Sequence, residues 1–527
     1  FDFDAADGLS TFVFKGYAVD GDSSLFGAIP NISGDGNVTA NITGNLALTS
    51  NIALTGTNTI NLTASGSITE TAGSLAATSL YMTATTGNIG SSAQHIQSNV
   101  SSMALTAAGD AFVTEANAVS LAANVGSLDL ATINGTLNVA TVNNIGGITA
   151  TNGDVTLSGT TDTGVGIYIG NNITANNGTV SITGTTSTAV NPDAGVRSAA
   201  TVSAKNITLL ASATGVGGGA LGYFGAGGYF NATEQLNLTG TTAGTANGFY
   251  SYTGGFTSGT GTTIVGTSAS GQGVGLVNGV TMTNGSTGDI SITGTATDGT
   301  KQGIGLRGIT ITNNGGNTVL NAVNGVIATD SGNPVWNTGL QTNIITSNGT
   351  GYVHVTAGNG NATNTGSIDG TVFSITQNNN AGVLVSTSGT GNVTAPKVTN
   401  NGTGNVVIAA GSAIAAGTGT GGQVLTVTDN IITQNSTGKT YIYSGQASST
   451  GALSILNSDF NTLYYQGSSH AVNAGFNKTY DGTPANDLTA PASGSVSSGA
   501  QVFFRSTTKP SFTLALNDLS KQYGDVD

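Results

Sequence analysis

The sequence predicts an all-β fold, a right-handed parallel β-helix with three short strands in each coil. Short apolar bursts recur at a nearly constant interval, apolar and polar residues alternate within each burst, and glycine and asparagine fill the gaps. The 527 residues include 82 glycines and only 7% charged residues, yet 37% are hydrophobic and available for burial. This composition is typical of an ordered repetitive protein and not of a disordered chain.

The repeat is clearest between residues 155 and 295, where successive bursts start 25, 27, 29, 28 and 26 residues apart. These bursts begin at Val155, Val180, Ile207, Leu236, Ile264 and Ile290. Two further strand candidates lie within a period, such as Gly166–Ile169 and Asn172–Ala175. A coil of this length lets each strand pair with its equivalent one turn later, which satisfies the backbone N–H and C=O groups along the axis. Parallel strands joined by crossovers are right-handed by default.

Three regions are predicted along the chain. Residues 31–455 form the parallel β-helix. Residues 1–30 are rich in Phe and Asp, and we interpret them as an N-terminal cap over the first coil's open edge or as the remnant of a preceding module. Residues 456–527 are predicted to form a C-terminal β module. Because the sequence opens at Phe1 without a Met, we expect a processed product or an internal piece of a longer protein.

Charge and cysteine content exclude several classes of function. The chain has no cysteine, which rules out disulfides, thiolate metal sites and cysteine nucleophiles. Its 11 Lys and Arg residues against 25 Asp and Glu residues give a net charge of -14, which argues against nucleic acid and anionic membranes as partners. No apolar run approaches the roughly 18 residues of a membrane span, so we expect no membrane insertion.

Several motifs resemble those of a known group of proteins. The segments Thr85–Gly90, His95–Val100 and Gly153–Leu157 resemble the stalks of filamentous-haemagglutinin-like adhesins, which are exported by two-partner secretion. The segment Asn477–Thr483 resembles the YDG module that follows such stalks, and Ser520–Asp525 resembles the opening of an MBG-type β-sandwich repeat. The Asn-Pro-rich signature of the family's secretion domain is not present.

The resemblance implies a non-catalytic adhesin of the bacterial surface or biofilm matrix that mediates attachment between cells, to surfaces or to exopolysaccharide. It implies localisation at the cell surface or in the extracellular matrix of a Gram-negative bacterium, after export through an outer-membrane transporter partner. The implied binding partners are an exopolysaccharide, a surface glycan or the adhesins of other cells.

The alternative function is that of a polysaccharide-degrading β-helix enzyme, a lyase or a hydrolase. Such chemistry needs carboxylates and cations that converge on one groove, and charges are scarce here. Between Gly370 and Thr428 the only charged side chain is Lys397. The best local mixture combines Asp298 and Lys301 with Arg307, and we interpret the first two as a solvated pair at a corner. We therefore expect no catalytic residues.

Eight aromatic residues within 34 positions form the most informative cluster of the sequence. They are Tyr223, Phe224, Tyr229, Phe230, Phe249, Tyr250, Tyr252 and Phe256. Neighbours in a strand point to opposite faces, so each doublet places one ring outside if it lies in a strand. We prefer an interior aromatic stack, and the alternative is a glycan-contact surface made by Tyr223, Tyr229, Tyr250 and Tyr252.

Acidic residues and histidines are the candidate metal ligands of this sequence. Asp2, Asp4 and Asp7 form a string that loosely resembles a calcium loop, although its spacing is not that of an EF-hand. We prefer a solvated acidic cap, with a calcium site as the alternative; no other cofactor is expected. The three histidines are far apart in sequence, and alternation with Val353 and Val355 predicts that His354 faces solvent.

Overall fold

The protein folds as a parallel β-solenoid without α-helices in the part of the chain that the structure describes. The structure is a computed structural model and describes residues 11–23, 32–191, 193–298, 301–329, 342–358, 367–370, 373–415, 422–425, 432–434, 437–445, 473–476 and 500–504. The predicted all-β class and parallel coiling are confirmed.

Three parallel sheets, here called A, B and C, run along the axis. Sheet A contains Ile68–Glu70, Ala111–Glu115, Leu128–Thr132, Val155–Thr161, Gln235–Thr242, Gly261–Ser268, Ile290–Ala296, Thr318–Asn324, Val353–Ala357, Val383–Thr387, Val406–Ala409, Thr440–Ser444, Asn473–Phe476 and Ala500–Phe504. Sheet B contains Leu137–Val139, Ile167–Ile169, Ala194–Ser198, Leu221–Ala226, Phe249–Tyr252, Val274–Val277, Gln302–Arg307, Val326–Thr329, Ile368–Asp369, Val393–Thr394 and Val424–Leu425. Sheet C contains Thr11–Ser23, Thr59–Ala64, Ile148–Ala150, Tyr229–Ala232, Gly255–Ser258, Thr281–Asn284, Thr310–Asn313, Asn343–Ser347, Phe373–Gln377, Lys397–Asn400 and Ile432–Gln434.

Some strands are long enough to pair in two sheets, and a few lie outside this scheme. The long strands are Asn37–Leu48, Leu75–Ala84, Ile96–Ala107, Val119–Val125, Ile173–Thr186 and Thr201–Ala213. Ile32–Asp35 and Ile52–Thr55 pair with each other near the N-terminal end, and the latter also pairs with Leu75–Ala84. Thr141–Val142 and Ile145–Gly146 form an antiparallel hairpin.

The strand pairing confirms the predicted repeat. In sheet A, Val155 pairs with Val180, which pairs with Ile207, and the following partners are Leu236, Thr262, Ile290, Thr318, Val353, Val383, Val406 and Thr440. The residue equivalent to Leu236 is Thr262, two positions before the predicted Ile264, because a buried threonine occupies an apolar position. Corner loops of different length absorb the variation in coil length without disturbing the strands.

The hydrophobic core is one continuous column inside the coils. It runs from Ile32 to Ile442 and consists mainly of Val, Ile and Leu side chains from all three sheets. Alternation along each strand directs these residues inward, as in Ile290–Ala296, where buried and half-buried positions alternate throughout. The apolar bursts of the sequence are therefore the walls of this core.

Glycine pairs shape the corner between sheets A and B. Gly266 lies near the end of the sheet A strand Gly261–Ser268, and its Cβ, if present, would lie 2.0 Å from the carbonyl oxygen of Gly273, the residue before the sheet B strand Val274–Val277. The corresponding distance from Gly294 to the Gly303 oxygen is 1.9 Å. Two backbones can approach this closely only where neither residue carries a side chain in between. The same close approach occurs at Gly159, Gly184 and Gly240, which explains why Gly recurs at this position of the repeat.

Polar ladders line other corners. The buried Asn313 donates from Nδ2 to the backbone oxygens of Gly316 and Asn317, at 3.0 and 2.7 Å. Its Oδ1 accepts a 3.1 Å hydrogen bond from Asn284 in the preceding coil. Buried amides of this kind satisfy the backbone where the chain turns.

A second amide ladder lies on the surface. Asn348 donates to Asn314 at 2.9 Å, Asn378 donates to Asn348 at 2.7 Å, and Asn401 donates to Asn378 at 2.7 Å. All three bonds run from side-chain Nδ2 to side-chain Oδ1 of the preceding coil. The ladder therefore links four successive coils through their side chains.

The chain ends are described only in part. Thr11–Ser23, within the predicted cap, pairs in parallel with Asn37–Leu48 and adds a strand to sheet C. Asn473–Phe476 and Ala500–Phe504, within the predicted C-terminal module, pair with each other, and the latter pairs with Thr440–Ser444 of sheet A. The motifs at residues 477–483 and 520–525 lie outside the described residues.

The hairpin packs on the outside of the solenoid. Val142 is buried against Ala104 and Ala122, which lie at equivalent positions of two preceding strands. Tyr81 and Ile145 flank this small cluster. The turn residues Asn143 and Asn144 both have positive φ, which suits a two-residue hairpin turn.

Candidate functional site

The outer surface of sheet B carries a row of large side chains at equivalent positions of successive coils. Tyr168 pairs with Arg197, Arg197 with Phe224, and Phe224 with Tyr250. Each of the four is half-buried, whereas the strand neighbours Val196 and others point into the core. With a strand spacing of about 4.8 Å, four consecutive rungs extend over about 14 Å of the surface.

The side chains of this row contact one another from rung to rung. The guanidinium carbon of Arg197 lies 5.5 Å from the ring centroid of Tyr168 and 5.4 Å from that of Phe224. The rings of Phe224 and Tyr250 are nearly parallel, at 18°, with centroids 6.1 Å apart. This separation is typical of offset rings, which leave part of each ring face uncovered. The row is therefore ordered by cation–π and ring contacts and still presents aromatic surface outward.

Polar amides border the row where it ends. Tyr250 leans over Gly275 of the next coil, since a Cβ there would lie 2.6 Å from Tyr250 Cδ2. Beside it, Asn247 donates to Gln272 at 3.1 Å and Gln272 donates to Gln302 at 2.6 Å. Hydrogen-bonding groups next to exposed aromatic carbon are the usual composition of a sugar-binding surface.

Tyr252 lies two residues after Tyr250 on the same outer side of its strand and is also half-buried. We call Tyr168, Arg197, Phe224, Tyr250 and Tyr252 together the outer strip.

The four tyrosines predicted as glycan contacts fall in three different places. Tyr250 and Tyr252 belong to the outer strip. Tyr229 lies on sheet C with 49% of its surface exposed, and its ring covers Gly255 of the next coil. Tyr223 is only 1% exposed and lies inside the core, where its ring stacks on Phe249 at 4.4 Å. This corrects the prediction for Tyr223, because an enclosed ring has no contact with an external ligand.

The preferred interior stack is also present. Phe230 packs edge-on against Tyr223 and is stacked near Phe256, so rings from two successive coils meet inside the solenoid. Burial raises the pKa of the Tyr223 hydroxyl, and a hydrogen bond with Ser198 opposes that rise. The doublets split as alternation predicts, with Tyr223, Phe230 and Phe249 inside and their neighbours outside.

The sequence analysis missed Tyr168 and Arg197 as members of the strip. They lie upstream of the aromatic cluster, so local composition gives no sign of them. The signal was the spacing: Tyr168, Arg197, Phe224 and Tyr250 follow one another at intervals of 29, 27 and 26 residues, which match the repeat.

Two glutamates lie buried near the N-terminal end. Desolvation raises the pKa of Glu70 to about 7, against the effect of a 2.9 Å hydrogen bond from the Gln97 backbone. Desolvation also raises the pKa of Glu115, which accepts hydrogen bonds from the Ser98 hydroxyl at 2.7 Å and the Val100 backbone at 3.0 Å. Both carboxyls are enclosed in the solenoid, where they accept hydrogen bonds from backbone N–H groups of neighbouring coils.

A histidine with polar neighbours lies on the outside of sheet A. His95 Nδ1 is 3.3 Å from the Thr114 hydroxyl, and His95 Nε2 is 4.0 Å from Asp129 Oδ2. The second distance exceeds that of a hydrogen bond, so the aspartate does not fix the imidazole as a general base would require. At the other predicted charge mixture, Asp298 and Lys301 are exposed, as expected, whereas Arg307 is buried.

The prediction that His354 faces solvent is wrong. It points outward from sheet A, but it is only 3% exposed and its ring stacks on Tyr352 at 3.7 Å. Desolvation lowers its pKa to about 4. Leu384 and Val407 occupy the same outward position in the next two coils and are also buried, so the outer side of sheet A is apolar here.

Among the residues that the structure describes, no three His, Asp or Glu side chains come together as a metal site. The calcium candidates Asp2, Asp4 and Asp7 lie outside that part of the chain. The same part holds no helix with the length and hydrophobicity needed to cross a membrane.

Comparison of the chain with protein-family models, curated proteins and solved structures finds no match. The fold assignment therefore rests on the strand pairing, and the resemblance of the sequence motifs to adhesin stalks stays a prediction.

Proposed function

We propose that this chain is the stalk of a non-catalytic bacterial adhesin that attaches to a glycan through the outer strip of sheet B. The observation that supports it is the row of partly uncovered aromatic rings at Phe224, Tyr250 and Tyr252, bordered by the amides of Asn247 and Gln272. Aromatic faces bind the apolar side of pyranose rings, and neighbouring amides can bind the hydroxyls.

The solenoid gives this surface its geometry. Parallel pairing from coil to coil makes the strip rigid and repeats its rungs along the axis, a form suited to an extended polymer. Export by a two-partner system and display on a Gram-negative cell or in a biofilm matrix belong to the same proposal. They rest on the resemblance of the motifs near residues 85–100 and 153–157.

The parallel β-helix fold also fits the alternative, a polysaccharide-degrading enzyme. The scarcity of charge along the chain and the 4.0 Å gap between His95 and Asp129 favour binding without catalysis. The two functions separate in one assay, because an enzyme releases new reducing ends from a polysaccharide while an adhesin leaves the polymer intact.

The proposal is tested by binding of the purified chain to an array of bacterial exopolysaccharides and surface glycans. We expect binding that falls about 10-fold or more in the double variant Tyr250→Ala, Tyr252→Ala, because each aromatic contact contributes about 0.5–1.5 kcal/mol. Tyr229→Ala is the matched control, since it removes an exposed tyrosine from a different sheet. Equal losses in the control and the double variant, or release of sugar products, would contradict the proposal.

A further inference from the structure

Arg197, on the second rung of the outer strip, is a cation that has no anionic partner among the residues that the structure describes. Within the described residues the two ion pairs are Lys205 with Glu234, at 3.4 Å, and His95 with Asp129. The Nε of Arg197 is buried and makes no hydrogen bond there. Arg197 thus places one positive charge within the outer strip of a chain whose net charge is -14.

Aromatic rings lie on both sides of the Arg197 guanidinium. Tyr168 lies against one side and Phe224 against the other, at 5.5 and 5.4 Å from the guanidinium carbon. The ring contacts stabilise the charge and restrict the long side chain of Arg197. Less of this side chain's entropy is therefore lost when a ligand binds. Because rings occupy the rungs before and after Arg197, an anion would approach the guanidinium from the outer side of the sheet.

The chemistry of the guanidinium selects a carboxylate. Guanidinium binds a carboxylate through two parallel N–H···O bonds, which an isolated hydroxyl cannot reproduce. Next along the strip come the offset rings of Phe224 and Tyr250, which offer surface for the sugar ring itself. A sugar that carries a carboxylate on its ring, placed one rung from an aromatic face, fits both features.

We infer that the outer strip recognises a polysaccharide built from uronic acid residues, with Arg197 binding the carboxylate. The inference rests on the proposed function and names its ligand class. The net negative charge of the chain repels such a polymer at long range, but charges beyond about 8 Å are largely screened at physiological salt. Recognition is therefore local and depends on this one cation.

The test compares polygalacturonate with its methyl ester, a polymer of the same rings and linkages in which the carboxylates are uncharged. The wild-type chain should bind polygalacturonate about 10- to 100-fold more tightly than the ester. Arg197→Gln should lose this preference and bind the two polymers equally. Arg197→Lys keeps the charge but lacks the planar fork, and should retain only part of the preference.

Lys205→Gln is the matched control, because it removes the same unit of charge from a residue paired with Glu234. It should keep the full preference. Thermal unfolding of each variant confirms that the rod is intact, and if Arg197→Gln does not fold, the Arg197→Lys comparison decides.

The inference is overturned if the wild-type chain binds neither polymer or both equally, or if Lys205→Gln loses as much preference as Arg197→Gln. The double variant of Tyr250 and Tyr252 separates it from the proposed function. Suppose that the double variant loses binding to the ester while Arg197→Gln keeps the wild-type affinity for both polymers. The strip is then a glycan-binding surface in which Arg197 does not bind the ligand.

Discussion

At the scale of single residues, the solenoid encloses groups that most folds keep in water. Glu70 is the clearest case, because only one of its carboxyl oxygens has a hydrogen-bond partner and the other is buried without one. A buried carboxylate is costly, so the folded state favours the protonated form and its pKa rises.

This predicts a definite pH dependence of stability. The pKa of Glu70 is about 7 when folded against 4.5 as its ordinary value, so its contribution is full below pH 4.5 and is lost as the pH rises to about 7. The free energy of unfolding falls by at most about 1.4 kcal/mol per pH unit in this window. Glu70→Gln should remove that slope and stabilise the protein at pH 8, as measured by urea unfolding between pH 4 and pH 8.

The control for this experiment is Glu234→Gln, which changes a half-exposed glutamate. It should leave the slope unchanged. Because the pKa of His354 is lowered to about 4, its contribution runs the other way and is lost as the pH falls from 6.5. The difference between the wild type and Glu70→Gln isolates the glutamate, and an identical slope in the two proteins would refute the assignment.

Tyr223 and His354 show why the burial of some side chains could not be predicted from the sequence. The strand Leu221–Ala226 contains apolar residues and glycines on both faces, so alternation alone does not fix which ring of the Tyr223 and Phe224 doublet is inside. Pairing with Val196 sets the phase and buries Tyr223. His354 was assigned to the outer side correctly, but its burial depends on Leu384 and Val407 in later coils, which a local pattern does not include.

At the scale of elements, the corners decide which sequences can form this solenoid. The strands follow from alternation and could be predicted, including their spacing. The close approach of sheet A to sheet B could not, because it depends on two glycines from different strands, such as Gly266 and Gly273. Likewise, the outer strip arises only when residues about 27 positions apart are brought into register.

Adding even a single methyl group at a glycine corner should therefore lower the free energy of unfolding. Gly266→Ala places a Cβ 2.0 Å from a backbone oxygen, so the two sheets must move apart. We expect a loss of about 1–3 kcal/mol in the free energy of unfolding. Gly146→Ala is the control, since the nearest atom to its new Cβ is 3.9 Å away. Equal unfolding midpoints for the two variants would show that the corner accommodates an added methyl group.

At the scale of the whole molecule, the strand register of the solenoid does not depend on the length of its corner loops. Each coil contacts mainly its two neighbours, so the pairing is set locally and repeated. Corner loops vary without effect on the core, as shown by the loop at Val216, which is 82% exposed. Strand register, in contrast, determines which side chains enter the core along each sheet.

Insertions into a strand and into a corner loop should have different effects on stability. One glycine inserted between Ser291 and Ile292 reverses the alternation in the rest of that strand and directs Ile292 outward. We expect a large fall in the thermal midpoint and loss of hydrogen-exchange protection in the neighbouring coils. Six Gly and Ser residues inserted after Val216 should change the midpoint by only a few degrees. Comparable damage from the two insertions would contradict a locally paired solenoid.

The surface amide ladder has a consequence for chemical ageing. Asn314, Asn348 and Asn401 each precede a glycine, the context in which an asparagine side chain most readily cyclises and deamidates. Cyclisation requires the glycine nitrogen to attack the side-chain carbonyl. Here the side chains are hydrogen-bonded to neighbouring coils, and the nitrogens of Gly315 and Gly402 donate to Asn313 and Asn400 at 3.0 and 3.2 Å. Coil stacking thus holds labile residues in an unreactive geometry, and we expect these asparagines to deamidate slowly.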